Sequence, residues 1–195
     1  MTGYTIPNVI GQHPRGERIM DVYSHLLTER IVYLGTAVDA GVANTLIAQL
    51  LYLESDNPDA DIQLYVNCEG GDPGAMLAIY DTMRYIRPAV ATSCVGQAVA
   101  AGAVLLAAGA EGKRAALPHA RVVLHQPAAQ GRGAIPDLIL QADEIVRIRA
   151  DIEEVLSRHT GQSVETLRAD TDRDRIFTAA GAQEYGLVDH VISHR

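Results

Sequence analysis

The spacing of apolar positions changes repeatedly along this 195-residue chain, and the changes divide it into alternating strands and helices. Residues 30–38, RIVYLGTAV, form a short apolar run closed by Gly and Thr, the pattern of a strand. Across 41–54, Val42, Leu46, Ile47, Leu50, Leu51 and Leu53 recur at helical spacing, and Asn57-Pro58 stops that helix. IQLYV at 62–66 reads as a strand, followed by the glycine-rich turn NCEGGDPG at 67–74. In that turn Asp72 is a good N-cap and Pro73 suits the first helical position. The helix behind it carries Met76, Ile79, Tyr80, Met83 and Ile86 on one face, and Pro88 ends it. VATSCV at 90–95 is a further strand. AVAAGAVLLAAG at 98–109 is apolar on every side and built of small residues, which predicts a buried helix packed closely on its neighbours.

KRAAL (113–117) and RVVLH (121–125) read as short strands, and QPAAQGRGAIP (126–136) as a long loop. A long amphipathic helix is predicted over about 137–158, with Leu138, Ala142, Ile145, Ile148, Ile152, Val155 and Leu156 separated by acidic and Arg residues. A short helix at 163–169, the charged segment ADTDRDR, a helix capped by Thr178 and ended at Gly186, and the strand LVDHVI complete the chain. Residues 1–19 lack clear periodicity and contain Pro7, Gly11, Pro14 and Gly16, so they are expected to form an arm or loop. Strands alternating with helices make the class α/β, with 20–195 a single domain.

Composition narrows the function classes. The chain is 48% hydrophobic and 21% charged, with no Trp and one Phe, Phe177, so Leu, Ile, Val and Ala must build most of the core. Its net charge of -8 argues against non-specific nucleic-acid binding and against attraction to an anionic membrane. No apolar run approaches a membrane span, and the first 18 residues lack the apolar region of a signal peptide, so a cytoplasmic protein is expected. Cys68 and Cys94 fit no disulfide framework, and the seven scattered His offer no metal site.

Three segments can carry chemistry. Gly70-Gly71 at a strand-to-helix turn can present backbone N–H groups to a developing oxyanion, although a glycine pair is more often an ordinary tight turn. His125, leaving a core strand for the 126–136 loop, suits a general base or a satisfied edge histidine. Asp170-Thr171-Asp172-Arg173-Asp174 can supply the carboxylate that orients a histidine, or simply a solvated charge cluster. The natural place for a nucleophile is the start of the helix after Gly96-Gln97, where the sequence gives Ala98-Val99-Ala100-Ala101-Gly102. None of those side chains can attack a carbonyl. These residues by themselves leave the function open.

The blocks RGER (15–18), AIYDTM (78–83), VGQA (95–98), LLAAGAEGKR (105–114), HQP (125–127), HTGQ (159–162), DTDRD (170–174) and EYGLVD (184–189) resemble, in order, the proteolytic subunit of the Clp protease. The resemblance implies a crotonase-like spiral of repeated β-β-α units with a protruding handle, which would span about 126–160, and an axial arm at 1–19. It implies two stacked seven-membered rings, as a homo- or hetero-oligomer, docking of an AAA+ unfoldase, unfolded protein or peptide substrates, and no cofactor. Carried over by position, His125 is the base, Asp174 the orienting acid, and Gly71 and Ala101 the oxyanion-hole donors. Asp172 and Arg173 match a pair that couples ring contact to the catalytic residues. The family's nucleophilic serine falls on Ala100, which implies a peptidase that is inactive as written, by replacement of its serine. The alternative is a naturally non-catalytic ring subunit working with an active paralogue. Glu69 and Asp72 depart from the usual turn. Gln63 and Ala115, beside Tyr65, depart from the usual aromatic docking pocket.

Overall fold

Strand alternation determines which side of the sheet is the core. The computed structural model describes residues 5–13, 16–127 and 133–194. Residues 1–4 and 14–15 of the expected arm and 128–132 of the expected loop lie outside these. The first described elements are an antiparallel pair, β1 (Asn8–His13) and β2 (Gly16–Asp21), so strands stand within the expected arm where sequence periodicity suggested none. Helix α1 (Val22–Thr28) follows, started by Asp21, whose carboxylate accepts the N–H groups of Tyr23 and Ser24. It buries no residue, which is why no apolar stripe announced it.

Next come β3 (Ile31–Leu34), α2 (Ala40–Asp56) and β4 (Ile62–Cys68). Helix α2 buries Ala43, Leu46, Leu50 and Leu53, a row at helical spacing. Strand β4 buries Ile62, Leu64, Val66 and Cys68 and turns Gln63, Tyr65 and Asn67 to its other face. Helix α3 (Pro73–Tyr85) is capped as its sequence requires: Asp72 accepts the Ala75 N–H at 2.7 Å, and Pro73 opens the first turn. Strand β5 (Val90–Val99) is longer than the predicted 90–95, and the buried helix α4 (Ala101–Ala107) is shorter than the predicted 98–109. The sequence Gly96-Gln97-Ala98-Val99 suits either state, and pairing decides: Gln97, Ala98 and Val99 sit opposite Arg121, Val122 and Val123. All seven residues of α4 are buried.

Then follow β6 (Arg114–Ala116), β7 (Arg121–Leu124), α5 (Ile135–Thr160), α6 (Val164–Asp170), β8 (Arg175–Thr178), α7 (Ala179–Tyr185) and β9 (His190–Val191). Strand β8 begins at Arg175, where the charged 169–175 run ends, and had no predicted counterpart, because its partner β7 rather than its own pattern makes it a strand. Helix α7 is bounded as predicted, by the Thr178 hydroxyl accepting the Gly181 N–H and by Gly186 at φ 92°.

The main sheet has the order β3-β4-β5-β6-β9, all parallel, with β7 pairing β5 in parallel and β8 antiparallel. Strand β5 thus serves two partners: residues 92–94 pair with β6 and 97–99 with β7. This branch carries its carboxyl end, and the turn into α4, away from the rest of the sheet.

One buried cation ties the helix ends to this sheet. Arg114, 7% exposed, forms a bidentate pair with Asp189 at 2.6 and 3.0 Å. Its Nη1 is shared among the carbonyls of Ala107 (3.2 Å), His159 (2.7 Å) and Gly186 (3.0 Å). Among the described residues no helix is long and apolar enough to cross a membrane.

Candidate active site

The cleft is built on the turn from β5 into α4. Ala100 stands there with φ 45° and ψ -105°, a conformation that L-residues rarely adopt. Its N–H donates to Val123 O at 2.9 Å and its C=O accepts the Val104 N–H at 3.0 Å, so strand and helix together impose it. Such backbone costs on the order of 1–3 kcal/mol and is the signature of a nucleophile elbow, in which a strand-to-helix turn lifts one side chain into a cleft. The side chain raised here is a methyl group.

Facing Ala100 is the 67–72 turn. Val38 N–H donates to Gly70 O at 2.8 Å and Asp72 N–H to Val38 O at 2.7 Å, the two bonds of a parallel bridge centred on Gly71. In that pattern the N–H of Gly71 itself is not used by Val38. A Cβ at Gly71 would meet Val38 O at 2.2 Å, and φ is +136°, so only glycine fits. Gly70 lies beside the elbow, its hypothetical Cβ 3.9 Å from the Ala100 Cβ. Ala101 is the first residue of α4, so its N–H has no partner one turn back.

Behind the turn sits Cys68. Its thiol donates to Gly70 O at 3.2 Å, and α4 packs on it so closely that a Cβ on Gly102 would lie 2.8 Å away. Bonds with Gly70 tie Cys68 to the turn, and burial pushes its thiol pKa up, away from the thiolate that a nucleophile needs.

His125 leaves the end of β7 half-buried and lines the same cleft as Ala100, Gly70 and Gly71. The cavity holds about 250 Å³, with Met76, Val104, Leu124, Ile152 and Leu156 giving it an apolar wall. His125 Nδ1 lies 2.9 Å from Gln126 O. A carbonyl only accepts, so Nδ1 carries the proton, and in the neutral ring Nε2 is left as the basic nitrogen.

Asp174, the acid expected to orient His125, stands apart from it. The β7–β8 register matches Leu124 with Arg175, which puts Asp174 across from His125. Asp174 is exposed, and among the described residues no hydrogen bond joins it to His125, whose Nδ1 is taken by its own chain neighbour. Immediately before Asp174 in the chain, Asp172 and Arg173 approach to 4.0 Å with both side chains facing solvent. Two departures seen in the sequence lie elsewhere on the sheet: Gln63 is half-buried on β4, and Ala115 is 6% exposed on β6.

Sequence reasoning missed a polar group at the far end of the cleft. Gln126, Arg149, Glu153 and Thr171 all line it. The signal was present as a carboxylate, Glu153, between Ile152 and Val155 on the apolar face of α5, four residues after Arg149.

Fold and cleft together define the class: an α/β protein with a hydrolase-type cleft where a parallel strand turns into a buried helix. The comparisons name the family. The Clp protease family matches residues 14–195. The ATP-dependent Clp protease proteolytic subunit 1 of Nocardia farcinica (strain IFM 10152) is 71% identical over 196 residues, covering 100% of both chains. Subunit 4 of Rhodococcus jostii (strain RHA1) is 59% identical over 99% of this chain and 100% of its own. Subunit 2 of Streptomyces avermitilis is 56% identical over 100% of this chain and 98% of its own. The chain belongs to the Clp protease family.

Proposed function

We propose that this chain is a proteolytic-chamber subunit of an ATP-dependent Clp protease whose serine-peptidase site is complete except for the nucleophile, so that as it stands it does not cleave peptides. The observation that carries this is Ala100, held in a strained elbow that has no use for a methyl group. With serine there, Oγ would attack the scissile carbonyl and pass its proton to His125 Nε2, and His125 would return it to the leaving amine. The N–H groups of Gly71 and Ala101 would hold the oxyanion, and Asp174 would take over His125 Nδ1–H. The apolar wall would seat a substrate side chain. With Ala100 only binding and the oxyanion donors remain, which leaves a small fraction of the full rate.

The same reading accounts for the outer surface of α5. Ile135, Leu138, Ile139, Leu140 and Val146 are exposed there, apolar surface that a second ring would cover through its own handle. Asp172 and Arg173 project where such a ring could engage them. An AAA+ unfoldase would dock on the opposite face, which Gln63 and Ala115 make less aromatic than usual.

A second reading, a subunit that is non-catalytic by nature and works beside an active paralogue, is favoured by two features. His125 is oriented by Gln126 rather than by Asp174, and Glu69 places a charge on the cleft-lining turn. One experiment separates the readings: fluorogenic-peptide hydrolysis by this chain and by Ala100→Ser, each alone and with an unfoldase and a paralogue. The first reading expects the variant to gain activity that His125→Ala abolishes. An inert variant, beside an unmodified chain that alters the paralogue's rate, overturns the first reading and leaves the second.

A further inference from the structure

Glu153 interrupts the apolar face of α5 with a charge, and only 3% of it is exposed. Two guanidinium groups meet it. Arg149 Nε donates to Oε1 at 2.7 Å, and Arg168 of α6 donates to Oε2 through Nη2 at 2.7 Å and Nε at 3.1 Å. Burial works to raise its pKa, but the bonds from Arg168 and Arg149 hold it below the usual carboxylate range. A buried ion pair is poor evidence of stability, since apolar residues of the same volume often do as well. What this one does is visible one side chain further on.

Arg149 Nη1 donates to Gln126 Oε1 at 2.8 Å. A guanidinium has no acceptor, so this bond fixes the amide, with Oε1 toward Arg149 and Nε2 free to donate to Asp172 O at 3.2 Å. The backbone N–H of Gln126 donates to Thr171 O at 2.9 Å, and its backbone O accepts His125 Nδ1–H. Every polar group of Gln126 is therefore engaged. Two hold the 171–172 segment that leads to Asp174, one holds His125, and one is held by Glu153 through Arg149.

We infer that Glu153 is a positioning residue for the catalytic pair: through Arg149 and Gln126 it sets where His125 and the segment leading to Asp174 stand relative to each other. The inference rests on reading Ala100 as the nucleophile position. Arg149→Met is the cleanest cut, because Glu153 keeps its two bonds to Arg168 and no buried charge is orphaned. Glu153→Gln acts on the same chain from its other end.

In the Ala100→Ser background, each variant is expected to lower kcat about tenfold or more with KM within about threefold, since small displacements of reacting groups are costly. Each should also move the acid limb of the pH–rate profile, while the exposed neighbour variant Glu154→Gln changes neither. A kcat and pH profile equal to the parent's, with only a lower Tm, would overturn the inference and leave a structural ion pair. A second readout needs no turnover: carbethoxylation of His125 by diethyl pyrocarbonate in the unmodified Ala100 chain, followed by peptide mass spectrometry. Releasing Gln126 should raise that rate about threefold in Arg149→Met, because the reagent takes the unprotonated, unencumbered ring. If Ala100→Ser is inert, the peptidase reading fails and the His125 rate alone decides. An unchanged rate overturns the inference.

Discussion

Gly71 shows how much of a site can depend on an absent side chain. The bridge to Val38 brings backbone to 2.2 Å from where a Cβ would stand, and the torsion itself excludes L-residues. Gly71→Ala is expected to cost about 3 kcal/mol or more, from strain together with a broken bridge, read as a shifted denaturant midpoint at constant slope. A midpoint within experimental error of the parent would mean that the 67–72 turn relaxes at little cost. From sequence, Gly70-Gly71 was as much an ordinary turn as an oxyanion cradle. The deciding partner, Val38, lies more than thirty residues away and carries no motif. Ala100 was legible only through the family blocks around it, because its torsion is imposed by Val123 and Val104. Gln126 lies within the HQP block, yet what it does comes from Arg149 and Asp172, which only the fold brings to it.

At the scale of elements, local signals were readable and pairing was not. Asp72 with Pro73, and Thr178 with Gly186, set the bounds of α3 and α7 by chemistry contained within a turn. The end of β5, the whole of β8 and the β1–β2 pair depend on partners distant in sequence or on weak patterns, and their own residues do not announce them. Helix α5 has its own lesson at its carboxyl end. A helix terminus favours a charged histidine, but His159 is driven the other way, to about 4, by burial and by the nearby Arg84, Arg114 and Arg158. It stays neutral in the folded chain near Tyr80, whose hydroxyl is 3.3 Å from Nε2. Between pH 6.5 and about 4 the unfolded chain binds the proton that the folded chain refuses, so stability falls as pH falls through that window. His159 is half-buried, so the loss is on the order of 2 kcal/mol rather than the full conversion. Thermal melts across the window should show this slope, and His159→Gln should flatten it. An identical slope in the variant would assign the effect elsewhere. Glu153 and Asp189, both held below their ordinary values of 4.5 and 3.8 by arginines, begin to lose their contribution only at the acid end of that window and below it.

Across the whole molecule, the α/β class followed from alternation alone, because parallel strands need a crossover between each pair. The branching of the sheet at β5 did not, since one strand serving two partners leaves no mark in its own residues. Arg114 belongs to this scale. The carbonyl ends of α4, α5 and α7 all carry negative partial charge, and all three meet one guanidinium that Asp189 holds in place. Helix ends ordinarily fray one by one, each on its own timescale. Joined at a common cation, these three should fray as one. In deuterium exchange, the last-turn amides of α4, α5 and α7 are expected to open with a shared free energy, and Arg114→Met to split that value into three lower ones. If the three already differ in the parent, the helices open independently. If they coincide, a single side chain sets the cooperative unit, and a lesion in any one helix end is felt at the other two.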